Sequence, residues 1–222
     1  MKSELSPFDL VIFDCDGVLV DSEPLAALAY HNVYAKEGMP IPDGTVAHGV
    51  GMKQADIILK IAELTGHHLP QTAEANIWPE TRLLFAESLQ PTTGIIDFLD
   101  RLEIPRCVAS SSSPERIDFS LDVTRLRGYF GEALYSSSMV KHGKPAPDLF
   151  LHAAEAMGAD PRRCVVIEDS PYGIEGAVAA GMTAIGYTGG GHSYDGHADR
   201  LLGKGAAAVY RDWSGIAALM IG

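Results

Sequence analysis

Positive charge is scarce in this chain: 17 Lys and Arg stand against 29 Asp and Glu in 222 residues, for a formal net charge of -12 and a pI near 5.0. Nucleic acids and anionic membranes are gripped through basic footprints, so neither is an expected partner. Long apolar runs are missing as well. No stretch reaches the roughly 20 residues of a membrane span, and Met1-Lys-Ser-Glu-Leu-Ser-Pro7 lacks the apolar core and cleavage site of a secretory leader. A soluble cytoplasmic protein, monomer or weak dimer, is expected. Cysteine is sparse: Cys15, Cys107 and Cys164 are too scattered for a disulfide framework and none has zinc-ligand spacing. All three fall in expected strands and read as core packing, with the carboxylates flanking Cys15 disfavouring its thiolate. Internal repeats and low-complexity segments are also absent. The 46% hydrophobic content suffices for one sizeable domain, or a domain carrying an insertion.

What is present is concentrated at the N-terminus, in Leu10-Val-Ile-Phe-Asp-Cys-Asp-Gly-Val-Leu-Val-Asp-Ser-Glu23. An apolar strand there ends in two carboxylates one residue apart. Strand side chains alternate, so Asp14 and Asp16 share a side and Cys15 points to the other. Two such close like charges repel unless a cation or a reaction uses both. Gly17 permits a sharp turn that leaves backbone amides facing the carboxylates.

Residues 22–88 read as helical only. Ser22 is the expected N-cap of a helix carrying Leu25, Leu28, Ala29 and Val33 and stopped by Gly38. A loop rich in Pro and Gly follows, then a helix bearing Ile57, Ile58, Ile61 and Leu64 and closed by Gly66. A third helical stretch runs from about Thr72 to Leu89, where Pro79 should kink or divide it. From Gln90 onward, short apolar runs alternate with amphipathic segments: Arg106–Ala109, Ala133–Tyr135, Cys164–Ile167, Met182–Gly186 and Ala206–Tyr210 are expected strands. That alternation, together with the first strand, predicts an α/β fold, a doubly wound Rossmann-like parallel sheet with a small helical cap inserted after its first strand. The division is residues 1–20 and 89–222 for the catalytic core and 21–88 for the cap. Gly189–His197 reads as a loop rather than a phosphate-binding glycine motif, since no helix clearly follows it.

Three further sites fall at expected strand ends, where ligands of such sheets collect. Cys107-Val-Ala-Ser-Ser-Ser-Ser-Pro-Glu115 runs from a strand into hydroxyls and a helix start, where free amides can hold phosphate oxygens, although Ser and Pro there are also ordinary caps. Lys144 sits in a turn fixed by Gly143 and Pro145, ahead of a helix with Leu149, Phe150 and Ala153 on its apolar face. Val165-Val-Ile-Glu-Asp-Ser-Pro-Tyr-Gly173 ends a second apolar strand in Glu168 and Asp169. Four carboxylates at one sheet edge favour a hard cation, and Mg²⁺ with phosphate as a further ligand suits them.

Asp14-x-Asp16-Gly17, Ser110, Lys144 and Glu168-Asp169, in that order, resemble the four motifs of the haloacid dehalogenase-like hydrolase superfamily, and the resemblance spans essentially the whole chain. It is nearest to the subgroup of β-phosphoglucomutase and small sugar-phosphate phosphatases, through Asp-Gly-Val-Leu-Val-Asp-Ser-Glu, Gly143-Lys-Pro-Ala-Pro-Asp148 and Glu168-Asp-Ser-x-x-Gly-Ile174. The resemblance implies that Asp14 is a nucleophile giving an aspartyl-phosphate, with Asp16 acting as general acid and then base. It implies Mg²⁺ held by Asp14, the Asp16 backbone carbonyl, Glu168 and Asp169, with Ser110, the Ser111 amide and Lys144 donating to the phosphate.

Dehalogenases lack the second carboxylate, so Asp16 argues against that activity. Phosphonate hydrolases use a cap lysine, for which Lys53 and Lys60 are candidates by type only. The β-phosphoglucomutase pattern carries cations where Ser113 and Met52 stand, so hydrolysis of a small phosphorylated metabolite, a sugar phosphate, is expected over mutase activity. A phospho-accepting signalling domain would place its nucleophile on a middle strand and would not need Asp16. A catalytically silent binding protein would have no use for it either. On the cap, His48, Lys53 and Trp78 or Arg82 are the candidates for substrate selection.

Overall fold

A computed structural model describes residues 8–220. Met1–Pro7, read above as lacking a leader, lie outside the described residues. Six strands form one parallel sheet in the order β3-β2-β1-β4-β5-β6: β1 (Leu10–Phe13), β2 (Arg106–Ser110), β3 (Leu134–Ser136), β4 (Cys164–Glu168), β5 (Thr183–Tyr187) and β6 (Ala208–Tyr210). β1 is central and wholly buried. Its four apolar residues divide between two layers, as a strand covered on both faces requires. Val11 and Phe13 pack with Phe98, Val108 and Trp213, while Leu10 and Ile12 pack with Phe150, Val166 and Ile174. Phe13 makes edge contacts with Phe98 and Phe130 at centroid distances of 6.2 and 5.8 Å.

Between β1 and β2 the chain leaves the sheet to form α1 (Glu23–Lys36), a 3₁₀ turn (Val46–Gly49), α2 (Gln54–Thr65), α3 (Gln71–Glu74) and α4 (Ile77–Ser88), and α5 (Ile95–Arg101) returns it to the sheet. The inserted helices have a core of their own, including Tyr30, Val33, Tyr34, Ile58, Ile61 and Ile77. The remaining helices alternate with strands: α6 (Pro114–Val123), α7 (Asp148–Ala156), α8 (Pro171–Ala179), α9 (His197–Gly203) and α10 (Trp213–Met220). None of the described helices is long and apolar enough to cross a membrane.

The insertion leaves and re-enters the sheet side by side. Val20 bridges antiparallel to Pro91, Asp21 N donates to the Gln90 carbonyl at 3.0 Å, and Thr92 Oγ1 donates to the Val18 carbonyl at 2.6 Å while receiving Trp213 Nε1 at 3.0 Å.

Several expectations are corrected. The Thr72–Leu89 stretch does divide, but at Ala75–Asn76, whereas Pro79 lies in the first turn of α4, where its missing N–H costs nothing. Strand ends shift by one or two residues. Cys15 lies in the turn after β1, buried among apolar side chains; burial first and Asp16 and Asp14 next push its thiol well above the ordinary range. Leu28 and Leu64 face solvent, because α1 is buried through Ala26, Ala29, Tyr30 and Val33 and α2 through Ile58 and Ile61. A helix, α9, does follow Gly189–His197.

Candidate active site

Parallel pairing brings three acidic or hydroxyl strand ends to one edge. Phe13 is in register with Val108 and Ile167, so Asp14, the residue after β1, stands between the ends of β2 and β4. Ser110 closes β2 and Glu168 closes β4, and Asp14 N donates to the Ile167 carbonyl at 3.0 Å. Lys144 reaches this edge from the loop before α7. Its Nζ lies 2.5 Å from both Asp14 Oδ1 and Glu168 Oε1, and its side chain is only 1% exposed. Glu168 also receives Ser170 N on Oε2 at 2.8 Å.

The donor set fits a divalent cation. Asp14, Glu168 and Asp169 are buried and can each offer an oxygen within 4.8 Å of the others. Burial pushes the Asp14 carboxyl well up; Lys144 opposes this, and the nearby carboxylates of Glu168, Asp169 and Asp16 add to it. Burial raises Glu168 in the same way. Three buried carboxylates facing Lys144 and His192 carry more negative charge than those two cations offset, which suits a hard ion with oxygen ligands. The backbone also leaves space here. A Cβ on Gly17, whose φ is +74°, would fall 1.9 Å from Asp169 Oδ2, and one on Gly173 would fall 1.8 Å from Glu168 Oε1.

Asp16 belongs to a different network. It accepts Ser22 Oγ at 2.7 Å and Arg116 Nη2 at 2.7 Å on Oδ1, and Ser112 Oγ at 2.6 Å on Oδ2. Burial works against ionisation, but Arg116 and the two hydroxyls outweigh it and hold Asp16 below the ordinary carboxylate range. Ser22 stands at the N-cap position of α1 without capping it, because its hydroxyl goes to Asp16. The four serines from Ser110 to Ser113 therefore have four destinations. Ser110 Oγ accepts Ser112 N at 3.1 Å, Ser111 Oγ donates to the Gly51 carbonyl at 3.0 Å, Ser112 binds Asp16, and Ser113 caps α6.

A cavity of about 140 Å³ lies between this edge and the inserted helices. Asp14, Asp16, Ser110, Ser111 and Asp169 line it, as do Met52, Ser113 and Trp78. Lys144 and Glu168 sit behind Asp14. The expected selectors His48 and Lys53 are not on its wall: His48 is exposed, and Lys53 packs beside Gly143 with Nζ 3.5 Å from the Ser137 carbonyl. Arg82 lies over the Phe119 ring at 5.0 Å, also off the cavity. Lys60 pairs with Glu63 at 2.8 Å.

Several residues of the site were not anticipated. Arg116, Ser112, Glu23 and Tyr30 line the cavity. His192 lies 2.9 Å from Asp169 Oδ2, and His197 Nε2 donates to the Asp169 carbonyl at 2.7 Å. Burial would lower His192, but Asp169 raises it to about 9. Burial raises Glu23 to about 7, with Asp16 and Asp169 adding to the effect. Arg116 occupies the first turn of α6, the helix that follows β2, a position that does not by itself tell a cavity-facing side chain from a solvent-facing one. His192 likewise lies in the loop leaving β5.

Residues 8–181 match the haloacid dehalogenase-like hydrolase family. The chain is 30% identical over 180 residues to 6-phosphogluconate phosphatase of Escherichia coli K12, covering 80% of this chain and 81% of that protein. It is 33% identical over 182 residues to a fructose-1-phosphate phosphatase of the same organism, covering 79% and 94%. Among solved structures, a conserved haloacid dehalogenase-like protein of unknown function from Agrobacterium tumefaciens superposes with a TM-score of 0.83 at 38% identity, covering 97% of this chain and all of that one.

Proposed function

The chain belongs to the haloacid dehalogenase-like hydrolase family, and we propose that it is a Mg²⁺-dependent phosphatase that hydrolyses a small sugar phosphate through an aspartyl-phosphate. The observation that carries this reading is the division of labour between two neighbouring carboxylates: Asp14 is fixed by Lys144 beside Glu168, while Asp16 faces the same cavity from an independent set of donors. In this reading one group attacks and the other handles protons. The sugar-phosphate specificities in the names of two relatives support the substrate class.

In this reading Asp14, Glu168, Asp169 and the Asp16 carbonyl hold the ion. When bound, Mg²⁺ offsets the repulsion between the Asp14 carboxylate and an anionic phosphate. Asp14 attacks phosphorus, and Lys144 keeps that carboxylate oriented. Ser110 and the Ser111 amide donate to phosphoryl oxygens, a positioning and electrostatic task that suits phosphoryl transfer. Asp16 protonates the leaving oxygen and then takes a proton from the water that cleaves the aspartyl-phosphate. The proton taken from water replaces the one given to the leaving oxygen, so the two transfers balance over a turnover; the three donors favour the carboxylate that the second step uses and oppose the acid that the first step uses. The inserted helices, residues 21–88, serve as the cap over residues 1–20 and 89–222. They touch the core where Ser111 meets Gly51 and where Lys53 reaches Ser137.

Ser113 and Met52 both line the cavity without charge, and Arg116 is the one cation on its wall among the described residues. Gripping a second phosphate while excluding water, as a mutase must, needs more than one cation already paired with Asp16, so hydrolysis is favoured. A panel of sugar and polyol phosphates followed by phosphorus-31 NMR tests this. Inorganic phosphate should appear with Mg²⁺ and not with EDTA. Isomerisation of β-glucose 1-phosphate without phosphate release would transfer the assignment to a mutase, and full activity in EDTA would remove the metal from it.

A further inference from the structure

Arg116 does more in this cavity than the reaction above asks of it. It projects from the first turn of α6 onto the cavity wall, with its side chain 19% exposed and its guanidinium 5.1 Å from the Phe85 ring centroid. Its side chain makes one hydrogen bond among the described residues, from Nη2 to Asp16; Nε is buried with no partner. A guanidinium carries five N–H donors in a planar fork suited to carboxylates, so most of its capacity is unused. A buried donor left unpaired is unfavourable unless water or a ligand supplies an acceptor. Besides Asp16, the cavity wall carries the carboxylates Asp14, Asp169 and Glu23, so among the described residues the guanidinium is the one group there that attracts an anion.

We infer that Arg116 selects the substrate, binding a carboxylate on the organic part of a phosphorylated sugar acid with the N–H groups that Asp16 leaves free. This rests on the phosphatase reading above and narrows it: among esters of like size, acids are preferred to neutral polyols. Arg116 lies beside Asp16, and Asp16 meets the leaving oxygen, so the carboxylate is recognised on the carbon chain rather than at the phosphate.

Two matched pairs test it, each exchanging a carboxylate for a hydroxymethyl group: gluconate 6-phosphate against glucitol 6-phosphate, and 3-phosphoglycerate against glycerol 3-phosphate. Phosphate release is measured at pH 6.5 with Mg²⁺. In the wild-type enzyme the acid of at least one pair should have a kcat/KM at least about tenfold higher, since a group that pairs buried donors discriminates strongly against its absence. Arg116→Met should bring that ratio to about one, and Arg116→Lys should keep part of it. If Arg116 only positions Asp16, Arg116→Met lowers kcat for acid and polyol alike and leaves the ratio unchanged, which overturns the inference. A wild-type ratio near one in both pairs overturns it without any variant, so it stands or falls even if Arg116→Met does not fold. Absence of phosphate release from every ester is a different result, which removes the phosphatase reading and this inference together.

Discussion

The floor of the cavity and its roof are built in different ways. On the floor, ionic side chains at strand ends answer one another: Lys144 lies between Asp14 and Glu168, His192 faces Asp169, and Arg116 joins Ser22 and Ser112 on Asp16. The roof offers Val46, Met52, Ile57 and Trp78, with Tyr30, Gln54 and Thr81 as its uncharged polar groups and Glu23 as its single charged one among the described residues. Charges on the floor are buried or largely buried and each meets a charge of opposite sign. The roof provides shape. In the proposed reaction the chemistry belongs to the sheet edge, and the helices above it enclose the substrate.

The comparison is sharpest at the two leading carboxylates. Asp14→Asn should lower kcat by roughly four orders of magnitude or more, as loss of a nucleophile does. Asp16→Asn should lower it by about two to four orders, the usual contribution of a general acid-base group. Single-turnover phosphate release measures both. An Asp14→Asn enzyme retaining a tenth of the activity would break the assignment of chemistry to the floor.

A smaller effect is expected in stability. Folding raises His192 from an ordinary value near 6.5 to about 9. Its contribution is then complete below pH 6.5 and disappears as pH rises through about 9, because the folded state holds the proton more tightly. In EDTA, urea unfolding should show a loss of about 2–3 kcal/mol across that interval, and His192→Gln should flatten the slope. An unchanged slope in the variant would separate His192 from Asp169.

On the roof, His48→Ala and Lys53→Ala should alter kcat/KM by less than about threefold, the scale of substitutions away from packed or paired groups. A larger loss with Lys53→Ala, accompanied by normal folding, would show that its approach to the Ser137 carbonyl matters to turnover.

The same division explains what the sequence made legible. Asp14, Ser110, Glu168 and Asp169 follow runs of buried apolar residues, and a parallel sheet brings such ends together whatever the helices do. Lys144 was readable from the Gly and Pro around it. Arg116 was not, because a charged residue in the first turn of a helix has the same pattern whether it faces solvent or a cavity; only the rotation of α6 decides. Ser22 has the local signature of a cap, yet its backbone is helical rather than extended and its hydroxyl is turned to the carboxylate of Asp16. The placement of His48 and Lys53 off the cavity wall has a related reason. The direction of side chains in a loop beside a 3₁₀ turn is set by packing against distant elements, and neither hydrophobic period describes it.

The paired crossing at Val20–Pro91 has a consequence for the protein's evolvability. Because the segment leaves and returns through hydrogen-bonded neighbours, its length and contents can change without moving any strand of the sheet out of register. The crossing acts as a socket, with Thr92 tied to Val18 and Trp213 on the sheet side of the join. Lineages can therefore exchange or remodel the roof while inheriting the reactive floor unchanged, and new substrate preferences need not be invented together with new chemistry.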